Sequence, residues 1–194
     1  MNKQILGLVT CVLITLFGSR SSYGFGSEIV VSVPDQALAL VDHRHLIARY
    51  PISTSKFGVG DAVGTYRTPL GILFVSGKFG DKLPAGAVIK NRVPTGEVVA
   101  VNAPGRDAIV ARVIWLRGME AQNCAARDRC IYIHGTPEER RVGKPASFGC
   151  IRMRSRDVIA LYDRVHIGMH VNITLRRIDS FIQPEEPRLV ARSD

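Results

Sequence analysis

Ser155-Arg156-Asp157-Val158-Ile159-Ala160-Leu161-Tyr162 and, beyond Gly168, Met169-His170-Val171-Asn172-Ile173-Thr174-Leu175 are the stretch that decides the fold class. In the first half Ser155 is a good N-cap and Asp157 suits the positive first turn. Val158, Leu161, Tyr162 and Val165 then recur at helical spacing. The second half alternates apolar and polar residues at every step, which is the period of a half-buried strand. One helix, a glycine stop and a strand therefore close the domain.

Working outward, every other periodic segment reads as strand. Residues 28–33 and 36–41 flank the turn signal Pro34-Asp35, and 45–52 continues the meander. Residues 70–79 open just after Thr68-Pro69, where proline is tolerated at a strand start. Residues 97–101, 109–116 and 131–134 complete the series. The pattern predicts a mainly β domain, a β-sandwich or open barrel with one packed helix after residue 150.

The ends read differently. Lys3 precedes an uncharged apolar run over 5–17, and small and polar residues follow to Gly24. That is the layout of a secretory signal peptide over 1–24, with Ser22 and Gly24 at the −3 and −1 positions. An uncleaved anchor is the alternative, but about 20 apolar residues are needed to span a bilayer and this run is shorter. Contact with the membrane is expected only transiently, through this segment, and the chain is expected to be exported to the periplasm or cell envelope. Residues 177–194, with Pro184-Glu185-Glu186-Pro187, read as a flexible tail. The stretch between the ends, 28–176, then reads as a single domain of usual size.

Composition bounds the function. The chain has 194 residues, 46% hydrophobic and 22% charged, which excludes a disordered or fibrous protein. The excess of 26 Lys and Arg over 17 Asp and Glu invites a nucleic-acid partner. The basic residues are scattered, however, and no aromatic stacking set or recognition helix accompanies them, so nucleic acid is not expected.

Three cysteines remain beyond residue 24: Cys124, Cys130 and Cys150. In an oxidising compartment Cys124 and Cys130 can close a local loop as a disulfide, leaving Cys150 as the odd one out, which flags either intermolecular pairing or a reactive thiol. A lone cysteine is otherwise a small buried hydrophobe. Here Gly149 lets the backbone bend and bring amide groups near the sulfur, the arrangement an oxyanion needs. Lys144, Arg152, Arg154 and Arg156 lie close in sequence and favour a thiolate. Upstream, Ile131-Tyr132-Ile133-His134-Gly135-Thr136 reads as an inner strand delivering His134 to a loop edge. By itself His134 has an equally ordinary structural role; beside a reactive thiol it is a candidate general base. His43, His45, His166 and His170 show no metal-ligand spacing with a thiol, so no metal and no cofactor are expected.

These residues resemble a known family. His134-Gly135-Thr136 followed by Gly143-Lys144-Pro145-Ala146-Ser147-Phe148-Gly149-Cys150-Ile151-Arg152-Met153 is similar to the signature of the YkuD-like L,D-transpeptidases, and Thr68-Pro69-Leu70-Gly71 matches their upstream segment. The resemblance covers about residues 28–176 and implies an enzyme acting on peptidoglycan stem peptides. By carry-over, Cys150 is the nucleophile that forms a thioester with the stem tetrapeptide and releases D-Ala, and His134 is the general base. Gly149 lies at the oxyanion position, while Ser147 and Arg152 order the loop or bind a substrate carboxylate. The acyl group passes to an amine, as a cross-link between third residues or an attachment to protein, in cell wall biogenesis and shape maintenance. An L,D-carboxypeptidase, with water as acceptor, uses the same site, and a non-catalytic peptidoglycan-binding module is the remaining alternative. The resemblance also places a lid at 117–130, which a Cys124–Cys130 bridge would stiffen. One position departs from the family's commonest form: Phe148 stands where a histidine is usual, so any hydrogen bond from that side chain is lost.

Overall fold

The computed structural model describes residues 26–184. The signal peptide expected over 1–24 lies outside the described residues. The protein is mainly β, a mixed ten-stranded sheet with one main helix. Its strands are β1 (Ser27–Ser32), β2 (Ala37–Asp42), β3 (His45–Pro51), β4 (Gly71–Phe79), β5 (Ala87–Lys90), β6 (Val93–Val98), β7 (Val110–Gly118), β8 (Tyr132–Gly135), β9 (Ile151–Met153) and β10 (His170–Thr174). Helix α1 spans Ser155–Tyr162.

The main path runs β3-β2-β1-β10-β4-β7-β5-β6, and β8 branches from β7 to pair with β9. The meander β1–β2–β3 is antiparallel, whereas β1 lies parallel to β10 with Val30 opposite Asn172. The alternation in β10 sends Val171 and Ile173 inward, where they join Ile29, Leu38, Leu73, Ile114, Ile133 and the helix residues Val158 and Leu161 in one core. Helix α1 thus packs its apolar stripe against β7 and β8.

Four expectations need correction. The strand expected over 97–101 is instead the end of a hairpin, β5–β6, whose turn residues Asn91 and Arg92 both have positive φ. Two consecutive left-handed residues are what a tight hairpin turn demands, and Arg92 carried no glycine-like signal. Strand β9 was not anticipated, because three residues show no period; Cys150 leads into this strand, not directly into the helix. Ser155 is not the N-cap, since Arg154 takes that place and the Ser155 N–H donates to Glu139 Oε1 at 2.9 Å. Finally, the chain after residue 176 is not solvated throughout. Ile178 is fully buried against Val30, Ala39 and Val41 on the outer face of β1 and β2, with Phe181 and Ile182 beside it. The Ile178 N–H donates to Asp35 Oδ2 at 2.8 Å. This cover is why β2 is buried on both faces.

Removing the Ile178 side chain exposes that seam. Ile178→Ala is expected to cost about 2–4 kcal/mol in urea unfolding, whereas exposed Ser180→Ala should change stability by less than about 0.5 kcal/mol. Equal stabilities for the two variants would contradict the docked segment.

Candidate active site

The site is built on β7, β8 and β9. Val113 pairs with His134 and Trp115 with Tyr132 across the antiparallel β7–β8 ladder. Across the parallel β8–β9 ladder Ile133 pairs with Ile151 and His134 with Arg152. Ile133 and Ile151 point into the core, so strand alternation puts Tyr132, His134, Cys150 and Arg152 on the opposite face. Two parallel strands require a crossover of roughly a dozen residues or more. Here it is residues 136–150, which carry the thiol back to the strand that holds the histidine.

The turn before Cys150 is tied down from several sides. Ser147 is buried, its Oγ donates to the Cys150 carbonyl at 2.6 Å, and it accepts the Gly149 N–H at 3.2 Å. The Lys56 N–H donates to the Ser147 carbonyl at 3.1 Å. Thr68, which sequence reading placed only in a motif, donates from Oγ1 to the Gly149 carbonyl at 3.0 Å and accepts the Ser55 N–H. Gly149 has φ +119, and a Cβ there would lie 3.3 Å from the Arg67 carbonyl oxygen and from Ile131 Cδ1. Only glycine meets both demands. Because the Gly149 N–H is already used on Ser147, the amide that reaches the sulfur is Tyr132 N–H, 3.4 Å from Cys150 Sγ. Phe148 is 49% exposed and packs against Phe57 and Tyr66 at 5.7 and 5.9 Å between ring centroids, with Lys56 Nζ 4.3 Å from its own centroid.

His134 is buried, and its Nδ1 lies 2.8 Å from the Gly135 carbonyl oxygen. A carbonyl there requires the proton on Nδ1, which leaves Nε2 as an acceptor. Burial pushes the imidazole down to about 4, against the Gly135 hydrogen bond and with help from the Arg152 charge. Burial likewise pushes the Cys150 thiol up to about 11, although Tyr132 N–H, Arg152 and Arg129 pull it down. The thiolate expected from the neighbouring cations is therefore not the resting state: desolvation outweighs them, and the pair rests as neutral thiol and neutral imidazole.

Arg152 is not open to an external carboxylate. Its side chain is 8% exposed and held by Asp107 at 2.7 Å and Glu138 at 3.4 Å. Cys124, Cys130 and Cys150 are all free thiols, so the expected Cys124–Cys130 bridge is not formed. Cys124 is exposed on the 3-10 turn Ala121–Ala126, while Cys130 packs beside Cys150, whose Sγ lies 3.4 Å from the Cys130 carbonyl oxygen. The segment expected as a lid, 117–130, is pinned: Asn123 Nδ2 donates to the Leu70 and Ile72 carbonyls, and buried Arg129 pairs with Asp61 at 2.7 Å. Gly71 is required beneath it, since a Cβ there would strike the Glu120 carboxylate that accepts the Ile72 N–H.

A cavity of about 440 Å³ opens beside Cys130 and Tyr132. Its lining includes Val88, Ile89, Ile109 and Val113, with Cys130 and Tyr132 on the side of Cys150. Sequence reading missed this wall, although Tyr132 sits two residues from His134 on a strand and so shares its face. Among the described residues no group of three or more His, Cys, Asp or Glu is placed to hold a metal, and no helix is long and apolar enough to cross a membrane.

A thiol and an imidazole with an unprotonated nitrogen, on one face of a rigid sheet beside a cleft, suit nucleophilic acyl transfer. The YkuD family, the L,D-transpeptidase catalytic domain, matches residues 26–173, and the chain belongs to that family. YkuD of Bacillus licheniformis is 27% identical over 157 residues, covering 81% of this chain and 71% of its own. YkuD of Bacillus subtilis is 26% identical over 167 residues, 86% and 77% of the two chains. An L,D-transpeptidase structure from Xylanimonas cellulosilytica shares the fold with a TM-score of 0.51 at 17% identity, over 79% of this chain and 62% of that one. The chain thus spans less than two thirds of that solved chain.

The protonation states have a readable consequence. Alkylation of Cys150 by iodoacetamide, followed by peptide mass mapping, is expected to rise with pH towards about 11, without the acid plateau of a thiolate–imidazolium pair. For His134 the folded value, about 4, lies below the unfolded one of 6.5. The unfolded chain binds the extra proton between them, so stability should fall as pH drops through that window. His134→Gln should remove that part of the acid dependence.

Proposed function

We propose that this protein is a peptidoglycan L,D-transpeptidase of the cell envelope, with Cys150 as nucleophile and His134 as general base. The observation that carries the reading is the placement of His134, its Nδ1 committed to the Gly135 carbonyl, on the same sheet face as Cys150. Because both groups rest neutral, the proton moves as the bond forms. Cys150 Sγ attacks the carbonyl of the third residue of a stem tetrapeptide while Nε2 of His134 takes the thiol proton. The tetrahedral oxyanion collapses, the bond to the terminal D-Ala nitrogen breaks, and His134 returns the proton to the leaving amine. A thioester remains. An acceptor amine, from a second stem or a protein, attacks it; His134 takes the amine proton and passes it to the departing sulfur. Ser147, Thr68 and Gly149 hold the turn that aims the sulfur, and Arg152, bound to Asp107 and Glu138, orders the strand end next to the histidine.

Export and a role in wall biogenesis and cell shape follow from this reading, supported by the apolar segment over 5–17 and by the family.

Incubation with a disaccharide-tetrapeptide, followed by intact mass, tests the chemistry. The wild type should gain the acyl mass with loss of D-Ala, and Cys150→Ala should show no adduct; a full adduct on Cys150→Ala would overturn the assignment. Product analysis with and without an added amine separates transfer from hydrolysis, and only a carboxylic acid product in both cases would make the enzyme an L,D-carboxypeptidase.

A further inference from the structure

The cavity beside Cys130 and Tyr132 has a chemical polarity that the reaction itself does not use. Its floor is aliphatic, from Val88, Ile89, Ile109 and Val113, and its rim carries Lys90 and Arg92 from the β5–β6 hairpin. Resting on the acyl-donor reading above, we infer that this cavity receives a carboxylate-bearing residue of the donor peptide, and that Arg92 binds the carboxylate.

Arg92 is held for this task. Its Nη1 donates to Tyr132 Oη at 3.1 Å, and its Cζ stands 4.6 Å from the centroid of the Trp115 ring. Trp115 is itself held, its Nε1 donating to the Arg127 carbonyl at 3.2 Å and its ring edge-on to Tyr132 at 6.0 Å. The guanidinium is thus held by Tyr132, Trp115 and the Cys130 side chain, with no carboxylate among them. Among the described residues Arg92 has no acidic partner, unlike Arg106, Arg129, Arg141 and Arg152, which pair with Glu97, Asp61, Glu138 and Asp107.

The cavity is contiguous with the chemistry. Tyr132, whose hydroxyl anchors Arg92, gives its backbone N–H to Cys150 Sγ, and Cys130, on the cavity wall, offers its carbonyl to the same sulfur. A donor acylating Cys150 can therefore lay a neighbouring side chain in the cavity. An apolar wall with Lys90 and Arg92 at its rim accepts methylenes ending in a carboxylate, and of the two cations only the arginine fork reads a carboxylate with two parallel hydrogen bonds. Arg152, the arginine nearest the nucleophile in sequence, is already occupied by Asp107 and Glu138, which leaves this duty to Arg92. The carboxylate can come from the second or the third residue of the stem, and the test separates them.

The experiment measures binding and acylation separately. On Cys150→Ala protein, which cannot turn over, calorimetric titration with the tetrapeptide donor should give a Kd that Arg92→Gln raises about tenfold. Arg92→Lys, with the charge but not the fork, should fall between. Two further donors carry a carboxamide in place of the carboxylate at residue two or at residue three. With the donor that lacks the recognised carboxylate, the Cys150→Ala protein and its Arg92→Gln form should bind equally and weakly. The inference is overturned if Arg92→Gln leaves the Kd of the free-carboxylate donor unchanged, if its effect persists with both amidated donors, or if no donor binds. Circular dichroism should be unchanged for the Arg92 variants, since Arg92 is a half-buried turn residue outside the main core. Acylation of the intact thiol is read in parallel. Arg92-dependent binding without any thioester would overturn the proposed reaction and leave the cavity assignment standing.

Discussion

The parallel pairing of β8 with β9 is the constraint on which the functional part of this molecule depends. It places Ile133 against Ile151 in the core and thereby turns His134, Tyr132, Cys150 and Arg152 to the other face. It also forces the chain between the strands to make a crossover, and that crossover is the segment carrying Ser147, Gly149 and Cys150. A slip of one residue in this register would exchange the two faces, burying His134 in the hydrocarbon and presenting isoleucines to the cleft. Core packing and the placement of His134 and Cys150 are thus one requirement, enforced by two buried isoleucines.

Desolvation, rather than local positive charge, governs the reactive pair. The stretch from Arg140 to Arg156 is rich in cations, but the acids that flank it neutralise much of that charge. Glu138 meets both Arg141 and Arg152, Asp157 meets Arg156, and Glu139 serves the first amide of α1. What remains at the sulfur is a dry setting that favours the neutral thiol and the neutral imidazole. The Gly135 carbonyl fixes the tautomer of His134, which leaves Nε2 as its one unprotonated ring nitrogen.

The elements with a clear period were legible in the sequence. Strands β1 to β4, β7, β8 and β10 and helix α1 all carry either an alternating pattern or a helical stripe. Cys150 and His134 were singled out by a glycine beside a thiol and a histidine at a strand end, and the β8–β9 register puts both on one face of the sheet. Strand β9 was not, since three residues have no measurable period, and neither was the β5–β6 hairpin, whose edge strand β6 is exposed on every residue and so lacks a hydrophobic signature. The bridge expected between Cys124 and Cys130 illustrates the limit of spacing arguments. Closeness along the chain says nothing of direction, and the fold turns Cys130 towards Cys150.

By itself, then, the sequence determined a mainly β domain closed by one helix and singled out a cysteine after a glycine turn and a histidine at a strand end, because periodicity and residue chemistry are local properties. Only the tertiary structure decided that Arg152 is spent on Asp107 and Glu138, that the thiol is held neutral, and that residues after 176 cover the outer face of β1 and β2. It alone brought Arg92, from a hairpin far away in sequence, onto Trp115 and Tyr132 at the mouth of the cleft. Each of these depends on which groups are desolvated together and which charges meet, and those are set by packing between strands distant in the chain.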